Sequence, residues 1–469
     1  MQRAPLVLAA ALAVVLGGCR STWEQHLEPP QRAFYRGDLD SSTRLLTSQL
    51  ADARRGADED VLRLELAMAL QAAGRYAEAA AHLVVVDRSL EALDYTSTPL
   101  DELAYALFAA PRNHYRAPRP EKLLLNTQNM INYLGAGQWE DAAVEARRAR
   151  ILMLQADLPE EERYSNRLAW ALAGVALQQS GSDGEAADAF REAGATDLSS
   201  APGEGEGSVL VLVQNGKAPV RIQAAYWLWV DGLYHRLQIP ALVSRPSGFA
   251  RASVSVDGKA AGNPATLLDI GGQAEHRYAD EFPRLVAAAA LQAVPRALVA
   301  DRVADELEDE DKPDHHARNE IARLFGSLAV EWLASSLPSD TRSWSLLPRE
   351  VRAMRLNLPA GTHEIEVALE GEALTGKNRT MTWTVEVTPG GLALVNAVTA
   401  TREGWKEMPD PRTENLSSQP AGIAALALLE SVLADRDNGG NQAVLSTPPA
   451  ANKAKAGKSG KRKKRDRKR

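Results

Sequence analysis

The chain holds a single cysteine, Cys19, in 469 residues. A mature protein made from it has no internal disulfide, no cysteine metal centre and no spare thiol nucleophile. Histidine is sparse, at 8, and aromatic residues make up only 5%. No apolar run reaches the roughly 20 residues that cross a bilayer as a helix. A Gly-rich phosphate loop between strand and helix, a paired-histidine zinc protease motif and a serine elbow are all missing. The residues therefore point to no catalytic group, no cofactor and no resident metal. The weak exception is His315-His316 with Glu320. His316 and Glu320 share a helical face at ligand spacing, but no third ligand follows, and the charged surroundings read as a solvated helix start.

The N-terminus carries more information. Met1 to Arg3 is a short basic start, Leu6 to Leu16 is apolar without a charge, and Leu16-Gly17-Gly18-Cys19 follows. This is the layout of a signal peptide, removed before any folding argument applies. Small residues at Gly17 and Gly18 give a peptidase access to the backbone between Gly18 and Cys19. The segment resembles the bacterial lipobox, which implies cleavage before Cys19 and a diacylglyceryl thioether on its sulfur. Two or more acyl chains hold a protein stably on a membrane, where one does not. Arg20 stands where an aspartate would resemble an inner-membrane retention signal. The expected location is the cell envelope, at the outer membrane and facing the periplasm.

Residues 19–200 are rich in Ala and Leu and read as helices. Four stretches look alike: Gly37 to Ser42, Gly74-Arg75-Tyr76-Ala77-Glu78-Ala79, Gly137-Gln138-Trp139-Glu140-Asp141-Ala142, and Gly181 to Ala186. Each has a glycine, usually a bulky residue two positions on, and a small residue three further. Glycine adopts the left-handed helix cap cheaply. The small residue lets two helices approach, and the bulky one fills the crevice between them. Gly74, Tyr76, Ala79, Gly137, Trp139 and Ala142 are thus the expected packing positions. The pattern resembles the tetratricopeptide repeat, with irregular spacing and an insertion around Asp94 to Pro120. A helical-hairpin array without that ancestry gives the same concave surface. Glu145, Arg147 and Arg148 are candidates for contacting a partner, although such residues more often pair along a helix.

Ala201 to Gly207 reads as a linker, after which the period changes. Strands are expected at Ser208 to Gln214, closed by an Asn215-Gly216 turn, at Val220 to Val230, and at Ala252 to Val256, closed by Asp257-Gly258. Tyr226, Trp227 and Trp229 alternate on the second, most simply as core. Two helices follow, Asp280 to Leu307 and His315 to Ser335. Four more strands are expected at Val351 to Asn357, His363 to Leu369, Arg379 to Val387 and Leu392 to Thr399, as a small sandwich half or an addition to the earlier sheet. The fold class is thus α+β: a tetratricopeptide-like helical domain over 19–200, then a domain of mainly antiparallel strands with two helices over 207–400. A final helix over 420–436 and a disordered basic tail over 437–469 complete the chain.

The whole chain carries −7. From Lys453 onward the tail has eleven basic residues and one acid, and Arg3 leaves with the signal peptide, so the mature body stands near −18. Such a tail suits an anionic lipid, a wall polymer or the acidic body itself. Nucleic acid is a poor fit, because the signal peptide sends the chain where none is present.

Several motifs in order resemble one family, the tetratricopeptide-repeat lipoproteins of Gram-negative bacteria. They are the lipobox, Asn129 to Leu134 leading into Ala143 to Arg148, Asn215-Gly216-Lys217-Ala218-Pro219, and Ile239-Pro240. Asp340-Thr341-Arg342-Ser343-Trp344, Leu347-Pro348 and Leu358-Pro359-Ala360-Gly361 complete the set. The resemblance spans most of Phe34 to Thr399 and implies no established reaction. Its members are similar to companions of the lipoproteins that activate peptidoglycan synthases. The expectation is a membrane-tethered scaffold or adaptor that binds a protein partner through helical repeats. An envelope hydrolase with its site in the β domain is the alternative.

Overall fold

The computed structural model describes residues 23–53, 56–94, 115, 119–154, 166–230, 233–245, 248–283, 285, 286, 289, 340–371, 380–402 and 413–415. The signal peptide with Gly18 and Cys19, His315, His316 and Glu320, the expected helices over 315–335 and 420–436, and the basic tail lie outside the described residues. Helices fill the N-terminal half and sheets the C-terminal part. No described helix is long and apolar enough to cross a membrane.

The described helices are α1 (Trp23–Tyr35), α2 (Leu39–Ala53), α3 (Glu59–Ala72), α4 (Tyr76–Asp94), α5 (Arg119–Gly135), α6 (Trp139–Met153), α7 (Arg167–Gln179) and α8 (Asp183–Ala193). Each packs on the next, and α5 also touches α7. Gly37, Gly74, Gly137 and Gly181 all take a left-handed φ, between 71° and 80°. At all four turns the residue after the glycine donates to the carbonyl five positions back. Asp38 bonds Ala33, Arg75 bonds Leu70, Gln138 bonds Tyr133 and Ser182 bonds Leu177, at 2.8–3.0 Å. One local chemistry, the glycine-capped C-terminus, therefore ends α1, α3, α5 and α7. The small residue five positions after each glycine (Ser42, Ala79, Ala142, Ala186) is buried. Tyr76 lies on Gly135 so closely that a Cβ there would come within 2.7 Å of its ring, and Phe190 does the same to Gly174 at 2.6 Å. Pro29 and Pro30 sit inside α1. Pro30 cannot bond the His26 carbonyl, and Gln49 of α2 takes that oxygen instead at 2.7 Å.

The strands are β1 (Glu206–Asn215), β2 (Val220–Val230), β3 (Leu233–Val243), β4 (Arg251–Val256), β5 (Lys259–Gly262), β6 (Ala265–Asp269), β7 (Glu350–Pro359), β8 (Gly361–Glu370), β9 (Thr380–Val387), β10 (Leu392–Val398) and β11 (Thr413–Asn415). They form three sheets, ordered β10-β1-β7-β6, β11-β2-β3 and β5-β4-β8-β9. β1 pairs parallel with β10 and antiparallel with β7. It is buried on both faces, which is why it reads as an unbroken apolar run. Val209, Val211 and Val213 meet the β4–β8–β9 sheet, joined by Val254, Ile365, Val367 and Val385. Leu210 and Leu212 face the other way, into a core shared with Leu62, Leu66, Ile131 and Leu172 of the helices. The first sheet is thus the middle layer between the helices and the second face of a sandwich. β2 and β3 pack separately against Phe282, Leu285 and Val286.

Two expectations are corrected. Asn215-Gly216 is no hairpin turn, because β1 and β2 lie in different sheets. The Asn215 amide instead bonds the Phe249 carbonyl at 2.9 Å and Glu350 at 2.7 Å, and accepts from the Phe249 N–H. Helix begins at Ile270, ten residues before Asp280, and the described part runs over 270–283. The last four expected strands are additions to the earlier sheets, the second of the two arrangements expected. β7 and β10 flank β1, whereas β8 and β9 join β4. The helices and the first sheet share one hydrophobic core.

Candidate functional site: a buried clasp between helices and sheet

The segment Asp340 to Arg349 runs along α3, and polar side chains from four parts of the chain meet on it. Trp344 donates its indole N–H to the Leu64 carbonyl at 3.0 Å. Glu65 is wholly buried and its carboxyl takes three donors. They are the Ser345 N–H at 2.5 Å, the Ser345 hydroxyl at 2.7 Å and the Leu346 N–H at 3.0 Å. Gln31 of α1 donates to the same hydroxyl at 2.6 Å. Arg245, just beyond β3, donates to Tyr35 Oη at 2.8 Å, to the Ser345 carbonyl at 2.6 Å and to the Ala218 carbonyl at 2.7 Å. Lys217 places its ammonium 4.3 Å from the Tyr35 ring centre. Arg342 pairs with Asp340 at 2.6 Å and reaches the loop before α3 through Asp58 at 3.2 Å and the Ala57 carbonyl at 2.7 Å.

Burial pushes the Glu65 carboxyl up to about 7, against its hydrogen bonds and the charge of Arg245, which lower it. Its contact with the Ser345 hydroxyl has the spacing of a nucleophile and base. Both residues are shut from solvent, however, and the hydroxyl is engaged on both sides. The arrangement suits holding two halves of a protein together.

A second polar cluster lies deeper. Gln71 of α3 donates to Asn132 of α5 at 2.9 Å and accepts from Gln214 of β1 at 2.6 Å. Gln214 also donates to Asn396 of β10 at 2.9 Å. Gln214 and Ser208 are the polar ends of the β1 face whose middle is Leu210 and Leu212. That is the register of a strand read in steps of two.

Of the other expected packing residues, Ala79 and Ala142 are fully buried and Trp139 packs partly on the core. The three partner-contact candidates turn inward or sideways. Glu145 is buried and accepts from Asn126 at 2.8 Å. Arg147 pairs with Glu185 of α8 at 3.0 Å. Arg148 pairs with Asp87 and Glu91 of α4 at 2.5 and 2.6 Å. They bridge α4, α6 and α8 to one another. Tyr226 is core, 5.5 Å centre to centre from Phe282. Among the described residues, no group of three or more His, Cys, Asp or Glu side chains stands ready for a metal ion.

Sequence reasoning passed over Glu65, Ser345, Arg245 and Gln71. The one available signal was indirect: Lys217-Ala218, Asp340 to Trp344 and Leu347 stand out along the chain as motifs, and all converge on this clasp. The chain matches no family model, no curated protein and no solved structure.

Proposed function

We propose that the chain is a lipoprotein held at an envelope membrane through Cys19, and that it works as a scaffold for a protein partner. The helices are read as divergent tetratricopeptide-like hairpins, a reading supported by the four identical glycine-capped turns. The partner surface is the outward face of α6. Val144, Ile151 and Leu154 lie there at helical spacing and are all more than half exposed. That apolar row carries the reading, because the opposite side of the helices is already taken by the chain's own sheet and clasp. Cys19 stands four residues before α1, a reach of about 14 Å at most for extended chain. A body tied so closely presents the same face to its surroundings, as a scaffold requires. The basic tail supplies a second, electrostatic contact to anionic lipid or wall polymer.

Chemical crosslinking in intact cells tests the proposal. The parent protein is expected to capture a defined partner species. Val144→Lys combined with Ile151→Lys is expected to lose it while thermal unfolding stays as in the parent. Capture of the same species by the double variant would remove the α6 face from the proposal.

A further inference from the structure

Arg355 of β7 points from the first sheet toward the helices, in register with Leu210. It is 91% buried, by its residual exposure of 9%. Three of its N–H groups are used. Nε donates to Ser208 Oγ at 3.0 Å, and Nη1 donates to Gln178 Oε1 at 2.5 Å and to the Leu198 carbonyl at 3.1 Å. Every acceptor is neutral. Among the described residues Nη2 is buried without a hydrogen-bond partner, which leaves the two donors of one nitrogen unspent. Burial lowers the guanidinium, to about 10. It therefore stays charged at neutral pH.

A buried cation without a counter-ion is costly, and the cost falls when an anion meets it. We propose that Arg355 is the floor of a small-anion site at the corner of α7, the turn Thr196–Leu198 and β7. A halide, or one oxygen of phosphate or sulfate, would bond Nη2. The Asn357 amide nearby is already engaged by Ser200 and Ala201. Asn357 Nδ2 lies 3.2 Å from Ser200 Oγ, and both are near the surface. Ser200 and Ala201, just beyond the turn, accept from the Asn357 amide at 3.0–3.3 Å. Shifting that short stretch gives a small anion its entry. An ion held there would fasten α7, the turn and two strands to one point. Binding to the folded state alone then stabilises it by mass action.

The test is thermal unfolding of the full non-lipidated chain at constant ionic strength, titrated with chloride or phosphate against a bulky organic sulfonate. A saturable rise of a few degrees with the small anions, and none with the sulfonate, is expected. Gln178→Glu puts a carboxylate where Gln178 Oε1 already meets Nη1. It is expected to raise the midpoint in anion-free buffer and to erase the anion response. A crystal soaked in bromide is expected to show an anomalous peak at hydrogen-bond distance from Nη2, and a phosphate soak separates oxyanion from halide. A response that never saturates, or an unchanged response in Gln178→Glu, would overturn the proposal. So would a soak without density at Nη2.

Discussion

Glu65 accepts a hydrogen bond from the hydroxyl of Ser345, 280 positions further along the chain, at 2.7 Å in a site closed to solvent. The contact joins the second described helical pair to the segment that leads into β7. It fixes which side of the helices faces the sheet, and so which side is left for anything else.

The same contact predicts a pH dependence. The Glu65 carboxyl titrates at about 7 in the folded protein against 4.5 for the ordinary group. Between these values the folded state holds a proton that the unfolded state has released. Stability is therefore full below about pH 4.5, falls as pH rises toward 7, and is level above it, for this group. The shift corresponds to about 3 kcal/mol, from about 1.4 kcal/mol per pH unit. Glu65→Gln is expected to flatten that slope in unfolding midpoints measured from pH 4.5 to 8.

Packing between turns predicts opposite effects for two glycines. A Cβ on Gly135 would stand 2.7 Å from the Tyr76 ring, whereas one on Gly184 meets nothing within 4 Å. Gly135→Ala is expected to destabilise by about 1–3 kcal/mol through overpacking. Gly184→Ala, inside α8, is expected to stabilise by about 0.4–1 kcal/mol. Chemical denaturation of both variants checks the pair.

Much of this was legible beforehand. Val220 to Val230 was bounded correctly, because its β-branched and aromatic run is continuous. The turn glycines were legible because a left-handed cap leaves little choice of residue. β3 was not, since Pro240 interrupts its pattern. The structure tolerates it because β3 is the edge of its sheet, where a missing N–H costs no ladder bond. The pairing of β1 with both β7 and β10 was invisible for a different reason. Register between distant strands is set by the whole core, and Leu210 shows nothing locally of Arg355 opposite it. The clasp was hidden likewise: Glu65 reads as the polar face of a helix until Ser345 is placed on it.

A smaller pH effect is expected on the sandwich. His363 bonds Asp257 at 2.7 Å and the Pro359 carbonyl at 2.9 Å. The Asp257 hydrogen bond is the main cause raising His363 above its usual 6.5, and the Glu364 N–H is the main cause lowering Asp257 below 3.8. The stabilisation from His363 is present below 6.5 and lost as pH rises through its higher folded value. That from Asp257 is present above 3.8 and lost as pH falls through its lower one. An NMR titration should show Asp257→Asn returning His363 toward 6.5.

Membrane attachment is expected to have two separable parts. Cys19→Ala should leave most of the protein soluble in the periplasm. The residual binding to anionic vesicles should fade with salt and vanish when 437–469 is deleted, with the body equally stable. Unchanged membrane partition of Cys19→Ala would rule out the lipid anchor.

The scaffold account rests on a helical inner face closed by the protein's own sheet and an outer face left open. Site-specific photocrosslinking in intact cells reads this directly. A photoreactive residue at Val144 or Ile151 is predicted to give a discrete adduct with a second protein, and one at Gln128, buried over the polar cluster, only internal links. An adduct from Gln128 with none from Val144 or Ile151 would mean that the partner enters between helices and sheet, and would contradict the account.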